Sequence, residues 1–64
     1  MNKIITGEEF YRKRTQLKLV EQVNWENYYL DEITGEKWIE EFPQSEMHGG
    51  GIPQLRLLLK FPWE

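Results

Sequence analysis

The chain has 64 residues, a formal net charge of −3 and no cysteine. This length allows one domain, residues 1–64, and the absence of cysteine excludes a disulfide framework and a cysteine-based zinc site. The N-terminus has no signal-peptide pattern and no apolar run reaches membrane-spanning length, so we expect a soluble, cytoplasmic protein.

The N-terminal part predicts a helix over about residues 6–15. The stretch TGEE has the form of a capping box, in which Thr6 is the N-cap and Glu9 reaches back to it. For residues 15–23 the apolar side chains fit both the helical and the strand period, so periodicity does not separate the two. We favour a helix that ends near Arg14, followed by a strand.

A β-hairpin is predicted over about residues 25–42. The stretch DEITGE suits a four-residue loop in which Gly35 supplies the left-handed residue. This loop sets Tyr29 opposite Trp38 and Asn27 opposite Glu40.

One face of this hairpin carries four large rings, those of Trp25, Tyr29, Trp38 and Phe42. The other face opposes Glu26 to Glu41, and two like charges in that position are unfavourable unless a cation meets them. We therefore predict that the ring face forms the core. Glu40 lies on that face and needs a hydrogen-bond donor or a place at the edge of the core.

A glycine-rich loop is predicted over residues 43–54, followed by a last strand over about 55–61. The loop has no lysine, so it does not match a phosphate-binding loop, and its flanking prolines disfavour a flexible linker. We expect an ordered chain reversal. In the last strand, Leu55, Leu57, Leu59 and Phe61 share one face. These elements predict an α+β fold, with one N-terminal helix packed on an antiparallel sheet of three or four strands.

Charge is unevenly distributed along the chain. Residues 24–48 carry seven acidic side chains and one lysine, whereas residues 1–23 carry five basic and three acidic side chains. An acidic segment of this kind repels nucleic acid and favours a basic partner.

We predict no catalytic residue, no metal site and no cofactor. Ser45, Glu46 and His48 are the one set that resembles a nucleophile, an orienting acid and a base, but no feature of the sequence arranges them around a substrate. A single histidine does not form a metal site.

The spacing W-E-x-x-Y-x-D-x-x-T-G-E-x-W and the run PQSEMHGGG resemble the immunity protein 27 family of bacterial polymorphic toxin systems. The resemblance extends from Trp25 to about Leu55 and excludes the first 24 residues. Ile52 stands where the family has a proline. The residues that mark this pattern are Trp25, Trp38, Pro43, Gly49, Gly50, Gly51 and Pro53.

The resemblance implies a small cytoplasmic immunity protein, without enzymatic activity or cofactor, that binds and neutralises a cognate bacterial toxin. An acidic surface suits a basic toxin such as a nuclease. Candidate toxin-binding residues are Glu26, Asp31, Glu32, Glu36, Glu40, Glu41, Glu46 and His48. Neither nucleic acid nor membrane is an expected partner, and the chain is expected to be a monomer or a weak dimer. The alternatives are a binding or regulatory module unrelated to toxins and, more remotely, a small hydrolase.

Overall fold

The computed structural model describes residues 3–42 and 52–64. These residues form the elements β1 (Ile4–Ile5), α1 (Gly7–Arg14), β2 (Lys18–Val23), β3 (Glu26–Leu30), β4 (Lys37–Glu41) and β5 (Gln54–Leu58). The strands form one antiparallel sheet in the order β1-β5-β4-β3-β2. The predicted α+β fold with an antiparallel sheet is confirmed, but the sheet has five strands and not three or four.

The additional strand is β1, which pairs with β5. Ile4 lies opposite Arg56 and Ile5 lies opposite Leu55. Two residues are too few to show an alternating pattern, and this is why the sequence does not reveal the strand.

Helix α1 begins after Thr6, as predicted, but without a capping box. Thr6 is the N-cap in extended conformation and makes no side-chain cap hydrogen bond. Gly7 has a φ of +67°, so the chain enters the helix through a left-handed residue. Acidic residues occupy the first turn and basic residues the last, which complements the helix dipole.

The β3–β4 hairpin has the predicted register. Tyr29 lies opposite Trp38 and Asn27 lies opposite Glu40. Gly35 has a φ of +80°, which confirms it as the left-handed loop residue.

The helix side of the sheet carries the first of two cores, which we call the helix-side core. It consists of the buried Ile5, Phe10, Trp38 and Leu55, against which Leu17, Tyr29 and Leu57 pack. Phe10 is the buried residue of α1, and its side chain packs the helix against the sheet.

The opposite side of the sheet carries a second core, formed by Tyr28, Ile39 and Phe61 with Leu58 packed against them. The chain after β5 folds over this side, where the Trp63 ring stacks on Phe61 at a centroid distance of 4.7 Å. Lys37 Nζ holds the C-terminal residue, at 2.7 Å from Glu64 Oε1. Both faces of the sheet are therefore covered in part.

Two predictions about the faces are wrong. Trp25 is 86% exposed and Phe42 is 37% exposed, so only half of the predicted four-ring face belongs to a core. Because β5 ends at Leu58, the alternation does not continue: Leu59 is fully exposed and Phe61 packs on the opposite side.

Candidate protein-binding surface

The loop between β3 and β4 is organised by Asp31. Asp31 Oδ1 accepts hydrogen bonds from the backbone N–H groups of Ile33 at 3.0 Å and Thr34 at 3.2 Å. The backbone closes the loop, with Gly35 N–H donating to Asp31 O at 2.7 Å and Asp31 N–H donating to Glu36 O at 2.8 Å. We call residues 31–36 the hairpin tip.

Lys13 ties the hairpin tip to the helix. Its Nζ lies 2.7 Å from Asp31 Oδ2 and 3.6 Å from Glu36 Oε1. The hydrogen bond from Lys13, together with the two backbone N–H groups, outweighs desolvation and lowers the pKa of Asp31 to about 2. The same contact raises the pKa of Lys13. Both groups are therefore charged at neutral pH, and the tip is held by an ion pair that is largely shielded from water.

The hairpin tip exposes an apolar side chain between acids. Ile33 is 92% exposed, and Glu32 and Glu36 flank it in the sequence. Glu32 lies 3.9 Å from Lys18, and both side chains of that pair are about two-thirds exposed. An exposed pair of this kind contributes little to stability, so Glu32 is accessible to another cation.

Glu40 is buried on the ring face, where its carboxylate needs hydrogen-bond donors, and the neighbouring side chains supply them. The Tyr29 hydroxyl donates to Oε1 at 3.0 Å and Asn27 Nδ2 donates to the same atom at 3.4 Å. Arg14 Nη1 lies 3.5 Å from Oε2. The carboxylate is thus part of the folded interior, which accounts for an acid beside the helix-side core.

Glu41 and Glu26 lie on the side of the sheet that carries the second core. Arg56 donates to Glu41 through Nε at 2.8 Å, and Gln54 Nε2 donates to the same carboxylate at 2.9 Å. The Arg56 hydrogen bond lowers the pKa of Glu41. Glu26 accepts from the Tyr28 hydroxyl at 3.3 Å. Glu26 and Glu41 are like charges on the same face, and such a pair is unfavourable unless a cation lies near it. Arg56 is that cation.

Several predicted residues lie outside the described part of the chain: Ser45, Glu46, His48, Pro43, Gly49, Gly50 and Gly51. Pro53 is described and half-buried. The roles of all these residues in binding stay predictions, as do those of the acids described above.

Neither Lys13 nor Ile33 is recognisable in the sequence as a candidate site residue. Lys13 acts on a residue 18 positions away, and no local pattern reveals such a contact. Ile33 offered a signal, because a large apolar residue in a predicted hairpin loop has no core to enter.

Within residues 3–42 and 52–64, no group of three or more histidine or acidic side chains is arranged to hold a metal ion. In the same residues, no helix is both long enough and apolar enough to span a membrane.

The fold and this surface define a small α+β domain with an exposed, tightly held hairpin tip. A family model described as Immunity protein 27 matches residues 9–59, which is more than half of the chain. The chain belongs to the immunity protein 27 family, as its central motifs indicated. The match begins at residue 9, so the prediction that the first 24 residues lie outside the family pattern is wrong. Neither the curated proteins nor the solved structures gave a match.

Proposed function

We propose that this protein neutralises a cognate bacterial toxin in the cytoplasm by binding it through the hairpin tip, without a catalytic step or a cofactor. Its family is one of immunity proteins. The observation that carries the proposal is the exposure of Ile33. Its side chain is 92% exposed within the hairpin tip, whose conformation is fixed by hydrogen bonds to Asp31 and by the ion pair between Asp31 and Lys13.

Ile33 has the properties of an interface anchor. Binding energy concentrates in a few side chains that enter a pocket of the partner, surrounded by polar groups that exclude water. Glu32 and Glu36 supply polar neighbours on both sides. Because the loop is already ordered by hydrogen bonds, binding does not have to pay the entropy of ordering it.

The charges of the hairpin tip favour a basic toxin. Of the predicted acids that the structure describes, Asp31 and Glu40 are buried. Glu32 and Glu36 keep more of their side chains in solvent, with 64% and 35% exposed. Exposed carboxylates increase the association rate with a positively charged partner, and a nuclease that binds phosphates is one such partner. Glu26, Glu41, Glu46 and His48 are secondary candidates for contact with the same toxin.

The experiment is a binding titration with the purified cognate toxin domain, which is sought among the genes next to this one. We expect Ile33→Asp to weaken binding by at least about 30-fold, mainly through faster dissociation. Glu32→Lys should slow association at low salt by several-fold, and this effect should shrink as salt screens the charges.

Ile52→Asp is the matched control, because Ile52 is also an exposed isoleucine but precedes β5, at the end of the sheet where Gln54 lies opposite Glu41 and opposite to the hairpin tip. Its binding should equal that of the wild type. Wild-type affinity of Ile33→Asp, in a variant that is folded by circular dichroism, would exclude the hairpin tip as the toxin contact. In cells, co-expression of the toxin with each variant should show loss of protection for Ile33→Asp and retained protection for Ile52→Asp.

A further inference from the structure

Strand β2 is an edge strand with an exposed surface on both faces. It is the last strand in the order β1-β5-β4-β3-β2, and all six of its residues are exposed. Among the described residues, β3 is its one neighbour in the sheet. The buried anchor of α1, Phe10, packs with Leu55 and Trp38 of the strands β5 and β4, so the helix lies over the other half of the sheet.

An irregularity in β2 decides which side chains share a face. Leu19 lies opposite Tyr29 and Glu21 lies opposite Tyr28, so the register shifts by one residue between them. Val20 is the extra residue of this β-bulge. Side chains of directly opposed residues lie on the same face of a sheet.

The bulge places Lys18 and Glu21 on one face. Lys18 lies opposite Leu30, and Glu21 lies opposite Tyr28, two residues earlier in β3. Residues two apart in a strand share a face, so their partners do as well. Without the bulge, residues three apart would point to opposite faces. Leu19 lies opposite Tyr29 and therefore on the other face, the one that carries the helix-side core.

We propose that two copies of this chain pair through β2 as antiparallel strands about a two-fold axis. Leu19 lies opposite Leu19 of the second copy, and Val20 stays the unpaired bulge residue in both copies. On each side of the Leu19 pair, Lys18 of one copy then lies opposite Glu21 of the other. Antiparallel pairing about such an axis requires opposed residues to share a face. A register centred on Glu21 instead sets two carboxylates against each other, which is unfavourable.

The charges in this register are available for pairing. The Glu21 carboxylate accepts from the neighbouring Gln22 N–H at 3.3 Å and has no cation within 4.0 Å in the described part of the chain. Among residues 3–42 and 52–64, Lys18 forms one ion pair, the long, exposed contact with Glu32 at 3.9 Å. Charged residues on an edge strand discourage pairing with most strands. Here they favour a single partner, namely the same strand in the opposite direction.

The pairing is expected to be weak. A strand of six residues buries less area than the roughly 1,600 Å² of a standard stable interface. The dimer should therefore form at high micromolar concentrations of protein. It does not depend on the toxin, so it can be tested whether or not the proposed function is correct.

The experiment is sedimentation equilibrium of the full chain from about 10 μM to about 1 mM, a range suited to weak interfaces. The wild type should change from monomer to dimer over this range. Glu21→Lys and Lys18→Glu should each weaken association by at least about five-fold, because like charges then oppose each other. The double variant, which carries both changes, should return to within about two-fold of the wild type, because the opposite charges are restored.

Two controls change charge elsewhere: Lys60→Glu and Glu8→Lys alter exposed residues outside β2 and should leave the association unchanged. Circular dichroism of each variant tests whether it is folded. The proposal is overturned if the wild type stays monomeric at the highest concentration, or if the double variant associates as weakly as the single ones. It is likewise overturned if Glu21→Lys leaves the association unchanged and instead weakens toxin binding, since the edge would then belong to the toxin interface.

Discussion

Lys13 Nζ and Asp31 Oδ2 lie 2.7 Å apart, and this contact joins the last turn of α1 to the β3–β4 loop. The Asp31 side chain is 6% exposed and that of Lys13 is 21% exposed. The Lys13 ammonium also lies 5.5 Å from the centroid of the buried Trp38 ring. One pair of charges therefore connects the core, the helix and the proposed binding surface.

The stability of the protein should decrease in acid because of Asp31. Its pKa is about 2 in the folded protein, against about 3.9 for an unfolded aspartate. The unfolded chain therefore binds the proton first as the pH falls, and protonation favours unfolding. The stabilisation is complete above about pH 5 and is lost progressively towards pH 2. The measurement is the urea midpoint at several pH values in this range.

Asp31→Asn should reduce this acid dependence, although Glu41 and Glu64 also have lowered pKa values and keep part of it. Glu8→Gln is the control, since Glu8 is exposed and forms no ion pair with the described residues. An unchanged pH dependence in Asp31→Asn would contradict the assignment.

Phe10→Ala should destabilise the fold more than any exposed substitution in α1. Phe10 is fully buried and joins the helix to Trp38 and Leu55, so its truncation leaves a cavity and costs about 3–5 kcal/mol. A domain of this size has a total stability of only about 3–10 kcal/mol, so the variant should be partly unfolded. Tyr11→Ala is the control, because Tyr11 is 54% exposed. Urea denaturation followed by fluorescence measures the free energy of unfolding of both variants. An equal decrease in the two would contradict the assignment of Phe10 to the core.

Much of this fold could be predicted because its signals are local. The loop around Gly35 predicted the hairpin register. The stretch that begins at Thr6 predicted one short helix that ends near Arg14. The two-sided core could not be predicted. Phe61 reaches the second face only because β5 ends at Leu58, and the end of a strand depends on the chain that follows it.

Tyr29→Phe should cost about 1 kcal/mol, because it removes a hydrogen bond to the buried Glu40 carboxylate. Asn27 and Arg14 remain near that carboxylate, which keeps the loss moderate. The change in unfolding free energy is measured by urea denaturation, with Tyr11→Phe as the matched control at an exposed tyrosine. A loss no larger than that of Tyr11→Phe would mean that the hydroxyl contributes nothing.

Gly35→Ala should destabilise the hairpin by about 1–2 kcal/mol, because its φ of +80° is strained for a residue with a Cβ atom. Apart from the chain neighbours of Gly35, no atom of the described residues lies within 4 Å of the new methyl group, so the cost comes from the backbone alone. Gly35→Asn should recover part of the loss, since asparagine tolerates this conformation better. Thermal denaturation compares the three proteins, and an alanine variant as stable as the wild type would contradict this conformation.

The candidate site was less predictable than the fold. Acidic residues are visible in the sequence, but their availability depends on partners that are distant along the chain. Glu41 forms an ion pair with Arg56, and Asp31 forms one with Lys13. The Glu32 side chain, in contrast, is 64% exposed to solvent. Charge composition alone therefore identified the acidic segment but not which of its acids a partner can reach.

The three tryptophans occupy three different environments: Trp38 is fully buried, Trp63 is 49% exposed and Trp25 is 86% exposed. Each belongs to a different part of the molecule, respectively the helix-side core, the C-terminal segment and the β2–β3 turn. Indole emission shifts to longer wavelength as water reaches the ring, so three variants that each keep one tryptophan would report on these parts separately. The chain thus carries its own set of fluorescent probes, and the loosening of one region can be followed without attaching a dye.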